Sequence, residues 1–476
     1  MEAIPLPELS PYPQHIVRVP ELTSVPFTDR VRALIDHPWF QRLRNVRQLG
    51  LTHLVYPGAT HSRFEHALGV YFHTIRYVHA LMSDPRFRET MTEYDLSCVL
   101  LAALLHDIGQ FPFAHAFEEI RRDLFRHERY SCLFIAGGIE EYLSEPFTNP
   151  ACACSESIRD RIAAHWNVEP DDVAALLSPE HAPVHLSEDK RGILHSIIDG
   201  PVDADKMDYL FRDSIHTGVP YGRFLDTDRF LQSLTVDPVG RNTIALSEKG
   251  RICAELFLIC RYAMFSEVYW HHTVRALSSM AGYAVRSFLR VRLEEEMPTA
   301  LIGTMLTCSD DELLAWLGEN GPPEAGRMVA RIFARSIYRR LLVLRADERD
   351  LEVYERLSDL RWHRSKEAYA AFKARFIERI NRMVPIDLSE EEILIDIPDP
   401  DTDRIGNVNV IPEYRDEPEA LAQVSHLWGS IREDFPRWVR KIRVFCSPER
   451  RAALLSRGVD RLRGALEEAL KEVAES

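Results

Sequence analysis

Four residues stand out for what their side chains could do together. They are His66 in HSRFEHALGV (61–70), His106 and Asp107 in LLHDIGQ (104–110), and Asp205 in VDADKMDYLFRD (202–213). Neutral imidazole and carboxylate are ligands that divalent transition metals accept. None of the four is telling alone: a histidine at a helix start is ordinarily a cap or a surface group, and His-Asp dipeptides are common. The HD pair, however, follows the apolar run VLLAALL (99–105) directly, where an unpaired ionisable group is costly. Adjacent helical residues point about 100° apart. His106 and Asp107 can therefore share one ion only if it lies between their directions and other helices supply further ligands. His66 and Asp205 are the candidates for that supply. The metal stays open among Mn, Fe, Mg, Co, Ni and Zn, because two histidines and two aspartates suit several of them.

The elements that must position these groups read as mostly helical. TDRVRALIDHPWFQRLRNVRQL (28–49) has apolar residues at helical spacing, as does 62–82, where Phe64, Leu68, Phe72, Ile75 and Leu81 recur at intervals near three and four. A third helix runs from Tyr94 to His106; being almost wholly apolar it is central, and Gly109 is its stop signal. Further helices are predicted at 113–123, 128–136, 156–166, 189–198, 204–214 and 226–234, a hairpin at 234–247, and a long helix at 248–292. Beyond Met297 helices alternate with strand-like runs at 340–346, 392–399, 407–412 and 441–448. The expected organisation is an N-terminal extension (1–27), a helical domain carrying the chemistry (28–296) and a smaller C-terminal α+β region of unassigned role (297–476).

Composition narrows the function classes. A chain of 476 residues with 46% hydrophobic and 28% charged residues is an ordinary globular protein. A net charge of −15 argues against an extended nucleic-acid or anionic-membrane surface, though not against a local basic pocket for a phosphorylated ligand. The N-terminus has no signal-peptide pattern, and no run approaches the roughly 20 apolar residues of a membrane span. Eight cysteines lack framework spacing, and the Cys152/Cys154 pair has no matching second pair, which fits free thiols in a cytoplasmic protein.

The segments FQRLRNVRQLG, YPGATHSRFEHALGV, LLHDIGQFPFAHAFE and VDADKMDYLFRD, in this order within about residues 28–280, resemble the successive motifs of the HD-domain deoxynucleoside triphosphate triphosphohydrolases. That group includes the bacterial dGTP triphosphohydrolases and the animal sterile-alpha-motif/HD-domain restriction factor. The resemblance implies an HD-domain helical bundle, one divalent metal on His66, His106, Asp107 and Asp205, and attack at the α-phosphorus of a deoxynucleoside triphosphate with release of intact triphosphate. It places His115, Glu118 and His127 at acid–base and substrate-contacting positions, with Glu118 orienting His127. It places Arg63 and Lys206 at the phosphates, Tyr209 and Asp213 on the sugar and 3′-hydroxyl side, and Gln48 and Leu49 around the sugar and base. It implies a homo-oligomer. It also matches Asp36, Gln41 and Arg44 to positions that read an activating guanine nucleotide in allosteric relatives.

Two departures accompany the match. Gln110 stands where the family commonly has a histidine four residues after the HD histidine, and glutamine cannot shuttle a proton near neutral pH. Lysine at that position marks the dinuclear cyclic-dinucleotide phosphodiesterases, which Gln110 also speaks against. Ahead of FQRLR, VPELTSVPFTDR replaces the DPIHG-like segment that partners the effector residues. Hydrolysis of another nucleotide, or nucleotide sensing with weak turnover, are the alternative readings.

Overall fold

The computed structural model describes residues 6–20, 24–113, 115–143, 156–239, 242–292, 299–347, 349–361, 366–399, 406–414 and 417–474. As the patterning predicts, the fold is mostly α-helical. Its centre is two helices, α1 (Arg63–Leu81) and α2 (Glu93–Leu105). Ser62 caps α1 by accepting from the Glu65 amide, and Thr92 and Asp95 close a capping box on α2. Every α2 residue from Asp95 to Leu105 is buried, so its final turn delivers His106 and Asp107 into the middle of the molecule. Around this pair lie α3 (His127–Ala136), α4 (Ala204–Thr217), α5 (Arg251–Met264) and α6 (His272–Arg292).

α1 and α4 approach each other very closely. A Cβ on Gly69 would lie 1.8 Å from Asp208 Oδ1 and 2.4 Å from Arg212 Nη2. Glycine at this point of HSRFEHALGV is therefore what lets the His66 helix and the Asp205 helix share one site.

Three helical expectations are corrected. The stretch 28–49 is broken into Asp29–Ile35, Pro38–Gln41 and a 3₁₀ turn Arg42–Asn45, because Pro38 has no amide hydrogen to continue the first helix and His37 caps the second instead. The 113–123 helix shrinks to Pieces His115–Glu118 and Arg122–Phe125 after Phe113, whose φ of 69° lies outside helical space. The long helix 248–292 is interrupted by a π-turn, Phe265–Tyr269, followed by the non-helical Trp270.

The 234–247 hairpin forms from β1 (Leu234–Val236) and β2 (Ile244–Ser247). The four C-terminal runs give β3 (Arg339–Leu344), β4 (Ile393–Asp396), β5 (Asn409–Ile411) and, after the unpredicted short β6 (Glu419–Ala420), β7 (Ile442–Cys446). β5 adds to β2 in parallel, with Leu246 opposite Val410, making a four-stranded sheet β1-β2-β5-β6. A three-stranded sheet, β3-β7-β4, is antiparallel and packs a separate apolar cluster containing Phe372, Phe376, Val444 and Leu466, and the short strands Ile16–Val17 and Val25–Pro26 form a third, two-stranded sheet. Among the described residues, no helix is long and apolar enough to cross a membrane, and the six described cysteines are free. Cys152 and Cys154 lie outside the described residues.

Candidate metal centre and active site

His66, from the first turn of α1, and His106 and Asp107, from the end of α2, converge with Asp205 from the first turn of α4. His66 Nε2 lies 2.9 Å from Asp205 Oδ1 and 3.8 Å from Asp107 Oδ2. His106 Nε2 lies 3.5 Å from Asp107 Oδ2 and 3.8 Å from Asp205 Oδ1. Ligands bound at about 2.1 Å sit roughly 3.0–3.5 Å from one another around a single ion; His66, His106 and Asp107 could hold one, and Asp205, 2.9 Å from His66 but 3.8 Å from His106, stands at its edge. His106 Nδ1 hydrogen-bonds the Ala103 carbonyl, which makes it the protonated nitrogen and leaves the Nε2 lone pair facing the cluster. That Nε2 is buried with no hydrogen-bond partner among the described residues, as an imidazole awaiting a cation would be.

Supporting groups hold the four in place. Asp208 Oδ2 accepts from His66 Nδ1 at 2.8 Å, so Nε2 is the nitrogen presented inward. Against the opposing effect of burial, Asp205 and Asp208 lift the His66 imidazolium to about 10; a cation would take the place of its Nε2 proton. Asp208 is itself gripped by Arg212 through Nε at 2.8 Å and Nη2 at 2.6 Å, and Arg212 Nη1 continues to Glu65 at 2.6 Å. Arg63 Nη1 donates to Asp107 Oδ2 at 2.6 Å, and Arg63, with the histidines around it, keeps Asp107 well below the usual carboxylate range despite burial. Asp208, Arg212 and Glu65 carry no assigned role in the sequence reading. The one local signal was spacing, since Asp205, Asp208 and Arg212 share a face of α4 at intervals of three and four.

Beside this centre, Glu118 accepts a hydrogen bond from His127 Nδ1, and His127 Nε2 lies 3.4 Å from Asp107 Oδ1. Burial lowers His127, but Glu128 and Glu118 more than offset it and lift the imidazolium to about 10. The side chain of His115 lies outside the described residues. The segment before it is anchored from the C-terminal region. Asp310, buried at the start of helix Asp310–Asn320, accepts from the Phe113 amide at 3.1 Å and the Arg47 amide at 2.8 Å. Gly50 has a φ of 49°, and a Cβ there would lie 3.0 Å from Phe113 Cα. Asp310 thus ties the Gln48–Gly50 loop to the strained turn ahead of Glu118.

The residues expected to line the substrate are distributed as follows. Gln48 is buried, and its Oε1 has no partner among the described residues; Leu49 packs at the margin of the main core. Lys206 Nζ lies 2.6 Å from Asp203 Oδ2, which keeps it charged against burial. Asp213 accepts from Tyr269 at 2.7 Å and pairs with His61 Nε2 at 2.7 Å. The Tyr209 ring stands edge-on to Tyr269, with centroids 6.1 Å apart. Arg261 was not anticipated. It is buried, Nε and Nη1 have no hydrogen-bond partner among the described residues, and its charge acts on both Tyr209 and Lys206. Its position in the continuous apolar pattern of α5 hid it.

The candidate effector residues sit apart from this centre. Gln41 Nε2 donates to the Ile35 carbonyl and Gln41 Oε1 accepts from Arg44 Nε, whose guanidinium covers the Phe64 ring; Asp36 is exposed at the end of the helix Asp29–Ile35. Gln110 is fully buried. Its carbonyl accepts from Arg42, and its side-chain amide donates to the Phe111 carbonyl.

Residues 63–168 match the family model of the HD domain, and residues 225–465 match that of the HD associated region. The chain is 35% identical over 253 residues to the uncharacterized protein MJ1154 of Methanocaldococcus jannaschii, covering 53% of this chain and 45% of that protein. It is 30% identical over 257 residues to the deoxynucleoside triphosphate triphosphohydrolase SAMHD1 of Danio rerio, covering 51% of this chain and 40% of that protein. The chain thus spans about half the length of the curated relatives it matches. Among solved structures, a hypothetical protein from Aquifex aeolicus aligns with a TM-score of 0.63 at 26% identity, covering 93% of this chain and 99% of that one. With the associated-region model matching half of the chain and a histidine–aspartate centre at the junction of α1, α2 and α4, the chain belongs to the HD-domain family.

Proposed function

We propose that this protein is a metal-dependent phosphohydrolase that splits deoxynucleoside triphosphates at the α-phosphorus, giving deoxynucleoside and intact triphosphate. The observation that carries the reading is the convergence of the buried His66 and Asp107 with the partly exposed His106 and Asp205, and the His127–Glu118 pair directly beside them. The substrate class is supported by the likeness to relatives named deoxynucleoside triphosphate triphosphohydrolases.

A divalent cation held by those four residues supplies charge neutralisation at phosphoryl oxygens and an acidified water. The protein's own groups do the rest. Glu118 orients His127 and, with Glu128, keeps its ring protonated through neutral pH. His127 is therefore poised as the acid that protonates the departing nucleoside oxygen as its bond to phosphorus breaks. A triphosphate carries close to four negative charges and needs cationic partners where water is excluded; Lys206 and Arg261 are cations whose charge acts on the sugar-side residue Tyr209. Arg63 contributes by holding Asp107 rather than from an open position, since it is 4% exposed and already paired. Tyr209, Asp213, Gln48 and Leu49 would take the nucleoside.

The test is a product assay. Each of the four dNTPs is incubated with the protein and Mn²⁺ or Mg²⁺, and nucleosides and phosphates are separated by ion exchange. The expected result is deoxynucleoside plus intact triphosphate, absent from the double variant His106→Ala/Asp107→Ala. No turnover of any dNTP, alone or with GTP or mixed dNTPs as activators, would overturn it.

A further inference from the structure

Behind the metal centre, on the far side of Asp208, lies a cavity of about 300 Å³ between α1, α4 and α5. Phe72, Leu210, Phe211 and Phe257 form the apolar part of its wall, and Arg76, Thr227 and Asp228 its polar side. One polar ring faces it. His73, two turns beyond His66 on α1, is 4% exposed, and neither of its ring nitrogens has a hydrogen-bond partner among the described residues. Leaving a buried polar group unmet is costly, and buried polar side chains are overwhelmingly paired. A small residue could have filled this place without that cost.

From this we infer that the cavity is a binding site for a small, neutral aromatic heterocycle, hydrogen-bonded through its ring edge to His73. The size is at the lower end of small-molecule pockets, and the lining combines an aromatic and aliphatic wall with a few polar groups, as such sites do. A neutral imidazole offers one donor and one acceptor in diverging directions, so a single nitrogen of His73 can meet either the N–H or the bare nitrogen of such a ring. Burial pushes His73 down to about 4, so the ring stays neutral and does not call for an anion. Asp228 is the exposed residue of the lining and is joined to the half-buried Arg76 at 2.6 Å, so this pair marks the side from which a ligand enters. Their ion pair is surface-exposed and cheap to open.

The site is coupled to the chemistry by one residue. Asp208 Oδ2 accepts from His66 Nδ1, while Asp208 Oδ1 stands 3.9 Å from His73 Nε2. An occupant bonded to His73 therefore sits one carboxylate away from a metal-binding histidine. This holds whichever phosphate ester the centre hydrolyses.

The experiment is calorimetric titration of the full chain with benzimidazole and with adenine, at neutral pH and without added metal. Two variants are compared, both checked for folding by circular dichroism. His73→Phe keeps the ring volume and removes the nitrogens; Cys260→Phe fills the cavity from the α5 side. The expected result is saturable binding of one heterocycle per chain, weakened about tenfold or more by His73→Phe and lost in Cys260→Phe. If Cys260→Phe does not fold, His73→Phe decides. Absence of saturable binding of both heterocycles to the wild-type chain overturns the inference, as does equal binding to wild type and His73→Phe.

Discussion

Removing the carboxylate of Asp208 separates the support of the metal centre from its ligands. In Asp208→Ala, His66 Nδ1 loses its acceptor at 2.8 Å, and Arg212 loses two hydrogen bonds at 2.8 and 2.6 Å. All four candidate ligands remain. Outer carboxylates that orient a metal-binding histidine are worth about 10–100-fold in metal affinity, so Mn²⁺ binding should weaken by that factor. Stability should fall too. Stripping one partner from a buried ion pair costs about 3–5 kcal/mol, but Glu65 still holds Arg212 Nη1 at 2.6 Å, which brings the expected loss to about 2–3 kcal/mol. Asp208→Asn should fall between, because its single carbonyl oxygen can stay on His66 while its NH₂ faces Arg212. Competitive Mn²⁺ titration gives the first quantity, and denaturant melts of the metal-free protein give the second. A folded Asp208→Ala chain that binds Mn²⁺ within about threefold of wild type would refute the positioning argument.

Glu118→Gln removes a charge that keeps His127 protonated. It should lower kcat roughly 100-fold with KM little changed, and shift the alkaline limb of the pH–rate profile to lower pH, read by steady-state kinetics on the substrate identified. Asp310→Ala strands the buried Phe113 and Arg47 amides. It should cost about 1–3 kcal/mol per amide and depress kcat/KM, while Mn²⁺ affinity, measured directly, stays at the wild-type value. Burial lowers the Lys373 ammonium from its ordinary 10.5 to about 8, against the pull of Glu390 at 3.5 Å. Between pH 8 and 10.5 the unfolded chain then binds more protons at this residue than the folded one, so this group makes stability rise with pH across that window. Lys373→Met should therefore stabilise the protein at pH 7 by about 1–3 kcal/mol, with the advantage over wild type shrinking as pH approaches 10, followed by thermal melts.

Much of this protein is legible along the chain because it is local. The apolar run of α2 and the strand runs that become β3, β4, β5 and β7 follow from propensity and period within a few residues. So does the identity of the chemically capable residues, since a buried His-Asp pair stands out wherever it falls. Periodicity failed where a single residue overrides it: Pro38 splits one predicted helix, positive-φ Phe113 shortens another, and a π-turn bends the third so that Tyr269 reaches Asp213. What only the tertiary structure decided is which groups meet. Asp208 supports His66 across 142 residues and Arg63 holds Asp107 across 44, while Asp310 reaches back 197 residues to Phe113. These pairings have no local signature, because they arise from helices packed close enough, at Gly69 above all, for distant side chains to share one dry space.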